Sequence, residues 1–250
     1  MTSQEKTVKF INKAVVDLCK LDHKSNIKLL DFGCGKGRLV EAFVEQGYDA
    51  YGCDIKEHWN ANPKHDAERF KMISLLPYTI PYVDNNFDVV VSTSVLEHAQ
   101  NKEDIFKEIH RVLKPGGYAL HLFPSKWYLP YETHIYVPLA NFFWPQVLKW
   151  YLGLWALLGV KNGFQSHMSW QEVMSKNYEY CQNGLSYYTN NQYKQISEEI
   201  FGNYSSPMDF YIQYSGGGFS NFFKRFPSKK LASWLGGTFR NRFILMYKSV

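Results

Sequence analysis

The chain has 250 residues, 45% hydrophobic and 20% charged, which excludes a disordered polymer and suits one well-buried domain with an elaboration. Its formal net charge of +5 is mildly basic, and outside "KSNIK" and "FKRFPSKK" no Lys/Arg block stands out, so the charge calls for no nucleic acid. Cys19, Cys34, Cys53 and Cys181 lack CxxC or other metal spacing, as expected of a reduced, cytoplasmic protein. "MTSQEKTVKF" is too polar for a secretory signal, and the most apolar window, Val147 to Val160, is too short for a transmembrane segment.

Val8, Ile11, Val15 and Leu18 recur at helical spacing and predict an amphipathic helix. "NIKLLDFG" predicts a buried strand, and "RLVEAFVEQG" a helix stopped by Gly47. "YDAYGCDI" reads as a second strand with an acid at its end, and "RFKMIS" as a third after a loop holding Asn62 and Pro63. The β-branched "FDVVVSTS" is the fourth. "NKEDIFKEIHRVL" predicts a helix capped by Asn101 and broken by "KPGG", before a fifth strand in "YALHLFPS".

After Ser125 the alternation fails, and residues 126 to 188 are rich in Trp, Tyr and Pro. "TNNQYKQISEEIF" then predicts a helix, and "MDFYIQY" and "RFILMYKS" predict two late strands. The expectation is an α/β, Rossmann-like, seven-stranded and mostly parallel sheet flanked by helices. Residues 1–250 would form a single domain, with 126–188 inserted after strand 5.

The stretch "LLDFGCGKGRLVEAF" places Gly33, Gly35 and Gly37 between a strand and a helix. A dinucleotide fingerprint runs G-x-G-x-x-G, whereas here the third glycine comes one residue early; a P-loop is excluded for want of G-K-[ST]. Asp54, 21 positions beyond Gly33, is placed to accept hydrogen bonds from a ribose diol. A nucleoside ligand follows, with an NAD-dependent oxidoreductase as the alternative.

These motifs resemble those of the class I S-adenosylmethionine-dependent methyltransferases of the type 11 kind. The likeness rests on "LLDFGCGKGRLVEAF", "YGCDI" and "IPYVDNNFDVVVSTSVLEHAQNKEDIFKEIHRVLKPGGYALHLFPS", covering Ile27 to Ser125 closely and Tyr188 to Val250 in outline. It implies S-adenosylmethionine as cofactor and S-adenosylhomocysteine as product. By resemblance, Asp31 orients the cofactor's ammonium and the bare backbone of Gly33, Cys34, Gly35 and Gly37 lets its methionyl part and ribose approach. Asp54 takes the ribose hydroxyls, Ile55 packs on the adenine, and Ser94 lies on the cofactor side. Many relatives carry an acid after the third strand; "FKMISLLPYTIPY" offers Ser74 instead.

Methyl transfer from a sulfonium needs alignment above all, and a general base only where the acceptor is a hydroxyl or protonated amine. His98 of "STSVLEHAQ" is one candidate base, with pocket lining as the other reading. Glu132 and His134 of "YETHIY" are the second candidate, a pair that either acts on the acceptor or anchors the insertion. His121 reads as a core histidine and His110 as a solvated one, while His58, His65 and His167 show no metal spacing, so no metal is expected. By resemblance the aromatic insertion is an acceptor lid for a small-molecule, glycan or lipid-linked acceptor, with O- or N-methylation favoured over C-methylation. The run Phe142 to Val160 reads as a buried helix, a peripheral membrane contact or a dimer interface. A non-catalytic S-adenosylmethionine-binding scaffold is the rival from another class.

Overall fold

The computed structural model describes residues 2–21, 24–61 and 67–250; Asn62, Pro63 and His65 lie outside the described residues. Helix α1 (Ser3–Asp17) starts with a capping box between Thr2 and Glu5. β1 (Lys28–Phe32), α2 (Arg38–Glu45), β2 (Asp49–Asp54) and β3 (Phe70–Met72) follow, then a hairpin of β4 (Ser74–Leu75) and β5 (Tyr78–Thr79). β6 (Phe87–Thr93), α3 (Lys102–Val112) and β7 (Leu113–Pro124) complete the first half. Beyond lie α4 (Lys149–Leu157), α5 (Trp170–Asn183), α6 (Asn190–Phe201), α7 (Met208–Tyr214), α8 (Gly218–Phe223), α9 (Lys229–Phe239) and β8 (Asn241–Tyr247).

Six strands form the main sheet in the order β3-β2-β1-β6-β7-β8, all parallel except β8, which runs antiparallel to β7. The order reverses between β1 and β6, which opens a crevice at the carboxyl ends of those strands. Leu29, Val89 and Val91 face one core with Phe10, Val40 and Phe43 of α1 and α2. Leu30 and Val90 face the other with Ile105, Phe106 and Ile109 of α3 and Tyr193 of α6. Burial on both sides explains why these strands read as continuous apolar runs.

The sheet has six strands among the described residues, not the seven expected, because "MDFYIQY" is α7 rather than a strand. Its apolar residues alternate, yet Met208 and Ile212, four apart, are the pair buried. They pack on α9 where Gly236 and Gly237 let the helices approach: a Cβ at Gly237 would stand 3.1 Å from Met208 Cγ. The tertiary contact decides the local conformation.

Residues 126–188 build a cluster of their own around Ile135, Val137, Leu152, Cys181 and Tyr187. α4 turns Leu152, Gly153 and Ala156 inward and leaves Trp150 and Leu157 exposed, as is Leu158 just beyond its end. No helix among the described residues is long and apolar enough to cross a membrane.

His121 is wholly buried in β7, sharing a 2.7 Å hydrogen bond through Nδ1 with Ser92 Oγ and stacking on Phe106. Burial pushes its pKa down from 6.5 to about 3. The unfolded chain therefore takes up the proton first, so the stability tied to neutral His121 is complete above pH 6.5 and is lost as pH falls toward 3. His121→Phe is expected to flatten the slope of Tm against pH between about 6.5 and 4, whatever its absolute Tm. An unchanged slope in calorimetric scans would assign the acid sensitivity elsewhere.

Candidate functional site

The parallel register sets Asp31 beside Gly52 and Phe32 beside Cys53, so β1 and β2 deliver their terminal acids to one edge of the sheet. Between them the chain turns through Gly33, Gly35 and Gly37 at φ of +78°, +52° and +73°, a backbone region that L side chains rarely adopt. Gly33 and Cys34 donate their amides to the Cys53 carbonyl at 2.8 and 3.1 Å, and Gly37 donates to Cys34 at 2.9 Å. A Cβ at Gly33 would stand 2.3 Å from Val95 Cγ2, whereas one at Gly35 would meet open space. Gly33 is thus bare for close packing, and Gly35 for its backbone angle alone.

Asp54 accepts the Gly35 amide on Oδ2 and the Ile55 amide on Oδ1, each at 2.7 Å. A carboxylate has about four acceptor sites, so two remain for a ligand diol. Asp31 is 1% exposed, and its Oδ2 has no hydrogen-bond partner among the described residues. Burial, with a smaller effect from the Asp54 charge, pushes its pKa from 3.8 up to about 7. A buried carboxylate oxygen without a partner is the arrangement that a ligand cation would complete.

Gly33, Asp54, Ile55, Ser94 and His98 line one cavity of about 770 Å³, together with Ile73 and the hairpin residues Leu75 to Tyr78. That volume lies within the usual ~300–1,000 Å³ of small-molecule sites. Leu76 is 94% exposed at the mouth, an apolar side chain without a cover of its own. Ser74 points away: it is exposed and does not line the cavity, whereas its buried neighbour Ile73 does. Asp31, Cys34, Gly35 and Gly37 also lie behind the lining, Asp31 near the end of β1 and the other three in the turn.

A second group of polar side chains gathers where the loop after β6 meets residues 126–188. Glu132 is fully buried; its Oε1 accepts from His134 Nδ1 at 2.8 Å and from the Tyr187 hydroxyl at 2.9 Å. Its Oε2 accepts the amides of His134 and Ile135 at 2.7 and 2.9 Å. Burial opposes ionisation of Glu132, but the His134 hydrogen bond and charge, with the two amides, hold its pKa below the ordinary value. For His134 burial likewise opposes the charge, and Glu132 outweighs it, so its pKa is raised.

The His98 ring lies 4.7 Å from that of His134, and Tyr180 borders both. His98 Nδ1 donates to the Gly184 carbonyl at 2.7 Å, which leaves Nε2 as the free lone pair; burial lowers its pKa. Glu97 beside it is 0% exposed with both carboxylate oxygens unpartnered, and burial raises its pKa to about 7.

Residues 30–121 match the family model described as a methyltransferase domain. A sterol 24-C-methyltransferase of Gibberella zeae is 34% identical over 101 residues, 38% of this chain and 27% of that protein. The mitochondrial ubiquinone biosynthesis O-methyltransferase of Rattus norvegicus is 29% identical over 181 residues, 62% of this chain and 52% of the relative. Phosphoethanolamine N-methyltransferase 2 of Haemonchus contortus, solved with phosphomonomethylethanolamine and S-adenosylhomocysteine, has a TM-score of 0.52 at 14% identity. That likeness, over 96% of this chain and 53% of the other, is one of fold. Residues 30–121 thus resemble a methyltransferase domain, and the curated relatives that match this chain are themselves named methyltransferases. The chain spans about a quarter to a half of the length of these two curated relatives.

S-adenosylmethionine is the cofactor of this kind of methyltransferase domain, and the residues at the crevice fit it. The unpartnered Asp31 oxygen suits its ammonium, and the two spare acceptor sites of Asp54 suit its ribose. Tyr180, which borders His134, and Tyr187, which donates to Glu132, carried no sequence signal, since they come from a helix and a loop more than 40 positions away. Lys102 is a further case: buried in the first turn of α3, it donates to the carbonyls of Ala99 and Ser186 and to Ser186 Oγ, and lies 4.2 Å from the Tyr188 ring centre.

Two measurements follow from the crevice acids. Asp54→Ala is expected to weaken S-adenosylhomocysteine binding by about 1.5–3 kcal/mol in titration calorimetry, the scale of a hydrogen bond to a charged group. Ionised Asp31 is the form that attracts a cation, so affinity should fall by up to about tenfold per pH unit as pH drops below 7, and Asp31→Asn should remove that slope.

Proposed function

We propose that the protein transfers the methyl group of S-adenosylmethionine to a hydroxyl or amine of a small-molecule, glycan or lipid-linked acceptor. The observation that carries this reading is the pair of acids at the crevice: Asp31 with a partnerless buried oxygen, and Asp54 with acceptor sites to spare, on either side of the glycine turn. A dinucleotide turn would want glycine at position 38, where Arg38 stands.

When bound, the cofactor supplies an electrophilic sulfonium methyl, so the chain has to position it, exclude water and handle the acceptor's proton. Asp31 holds the ammonium and Asp54 the ribose, while Ile55 and Ile73 flank the adenine. Residues 126–188 serve as the acceptor lid within a single methyltransferase domain. Support for the lid comes from the position of His134 and Tyr180 against His98, which itself lines the cavity. The free Nε2 of His98 or His134 accepts the proton of the acceptor, and Glu132 is the positioning residue that orients the His134 ring.

Calorimetry with S-adenosylhomocysteine and with NAD, followed by transfer of a tritiated methyl group to cell-extract fractions, tests the reading. Binding of the former and label in a small-molecule or lipid fraction are expected. Preferential NAD binding sinks the proposal, and cofactor binding without label in any fraction makes the chain a scaffold. His134→Ala should lower transfer by about 10²-fold or more while cofactor affinity stays unchanged. Full turnover would make His134 an anchor of the insertion.

A further inference from the structure

We propose that Glu97, His98 and His134 bind a divalent transition-metal ion, with zinc the best fit to the donors. One ligand atom from each of the three lies within 4.8 Å of the other two. His98 Nε2 and Glu97 Oε1 are 3.9 Å apart, too far for a hydrogen bond and close enough to share an ion. Metal bonds of about 2.0–2.2 Å would draw each atom inward by roughly half an ångström.

Two independent features point to an ion rather than to a chance meeting of side chains. Glu97 is fully buried, and neither carboxylate oxygen finds a hydrogen-bond donor among the described residues, a costly arrangement that a cation relieves. Both histidines are oriented through Nδ1, His98 by the Gly184 carbonyl and His134 by the Glu132 carboxylate, so each offers Nε2. This is the outer arrangement that metal-bound histidines ordinarily have, where the second nitrogen donates to a carbonyl or carboxylate and fixes the ring. Glu132 is itself held by Tyr187 and two backbone amides, so the support extends one layer further.

Two imidazoles and one carboxylate suit zinc and its transition-metal neighbours, whereas magnesium and calcium prefer oxygen throughout. Three protein ligands leave coordination positions open, as in metal sites that act on a bound oxygen. The two histidine side chains are partly exposed, so the open side is accessible, and His98 joins it to the cavity. The metal site stands without the proposed methyl transfer. If both hold, the ion occupies the lone pairs otherwise free for general-base action, and its open positions are offered to an acceptor oxygen.

Metal content decides the matter without an activity assay. The full chain, stripped with a chelator and dialysed against Zn²⁺, should retain one zinc per chain and compete with a chromophoric chelator. Magnesium should not displace it. Glu97→Gln and His134→Ala should each abolish stoichiometric retention, and Glu132→Gln should weaken it roughly 10–100-fold. No retained zinc in the wild-type chain, or variants that hold it as tightly, would overturn the proposal. Since Glu97→Gln alters a buried loop, the wild-type chain loaded with Co²⁺ supplies a second reading. Visible absorption of nitrogen-ligated, low-coordinate cobalt supports the site, and the spectrum of the aqueous ion rejects it.

Discussion

The parallel register between β1 and β2 is the constraint on which the crevice depends. It brings Asp31 and Asp54 to the same edge of the sheet and leaves only the short turn from Gly33 to Gly37 to connect that edge with α2. The turn fits because three glycines accept left-handed backbone angles, and because the Asp54 carboxylate ties it to the end of β2 through the Gly35 amide. Burial of Asp31 at this corner, with a smaller effect from the neighbouring Asp54 charge, holds its carboxyl far above the ordinary carboxylate range. The strain of that corner is electrostatic, and its natural relief is a cation.

Residues 126–188 are tied to the rest of the chain through a different set of contacts. The Ser186 amide donates to the Glu97 carbonyl at 2.6 Å, the Gly184 carbonyl accepts from His98, and Lys102 reaches Ser186 from α3. The end of this segment is thereby tied to the loop after β6. Glu132 anchors its beginning, with four hydrogen bonds reaching one buried carboxylate from His134, Ile135 and Tyr187. A buried charge so fully satisfied imposes one geometry, because loss of any partner would leave it uncompensated.

Much of the fold was legible because buried strands and amphipathic helices have short-range signatures. β1, β2, β6 and β7 read as apolar runs, and Asn101 announced the start of α3. "MDFYIQY" was misleading because its alternation satisfies a strand while Met208 and Ile212 also satisfy a helix, and in the folded chain that pair packs against Gly236 and Gly237 of α9. At the site, Gly33, Asp54, Ile55, Ser94 and His98 meet on one cavity, as their places at strand ends suggested. Ile73 and Leu75 line the cavity and Ser74 between them does not, because successive side chains of extended backbone face opposite ways.

What the sequence determined by itself is the glycine turn and the acids that flank it: glycine spacing, strand-end acids and the order of motifs are local properties, and each survives being read in one dimension. The meeting of Glu97, His98 and His134 was decided by the tertiary structure alone. The first two come from the loop after β6 and the third from residues 126–188, which share no periodicity with it, so their distances depend on how that segment folds back. No spacing rule encodes that return path, because it is set by the burial of Glu132 and Lys102 among partners more than 50 residues distant.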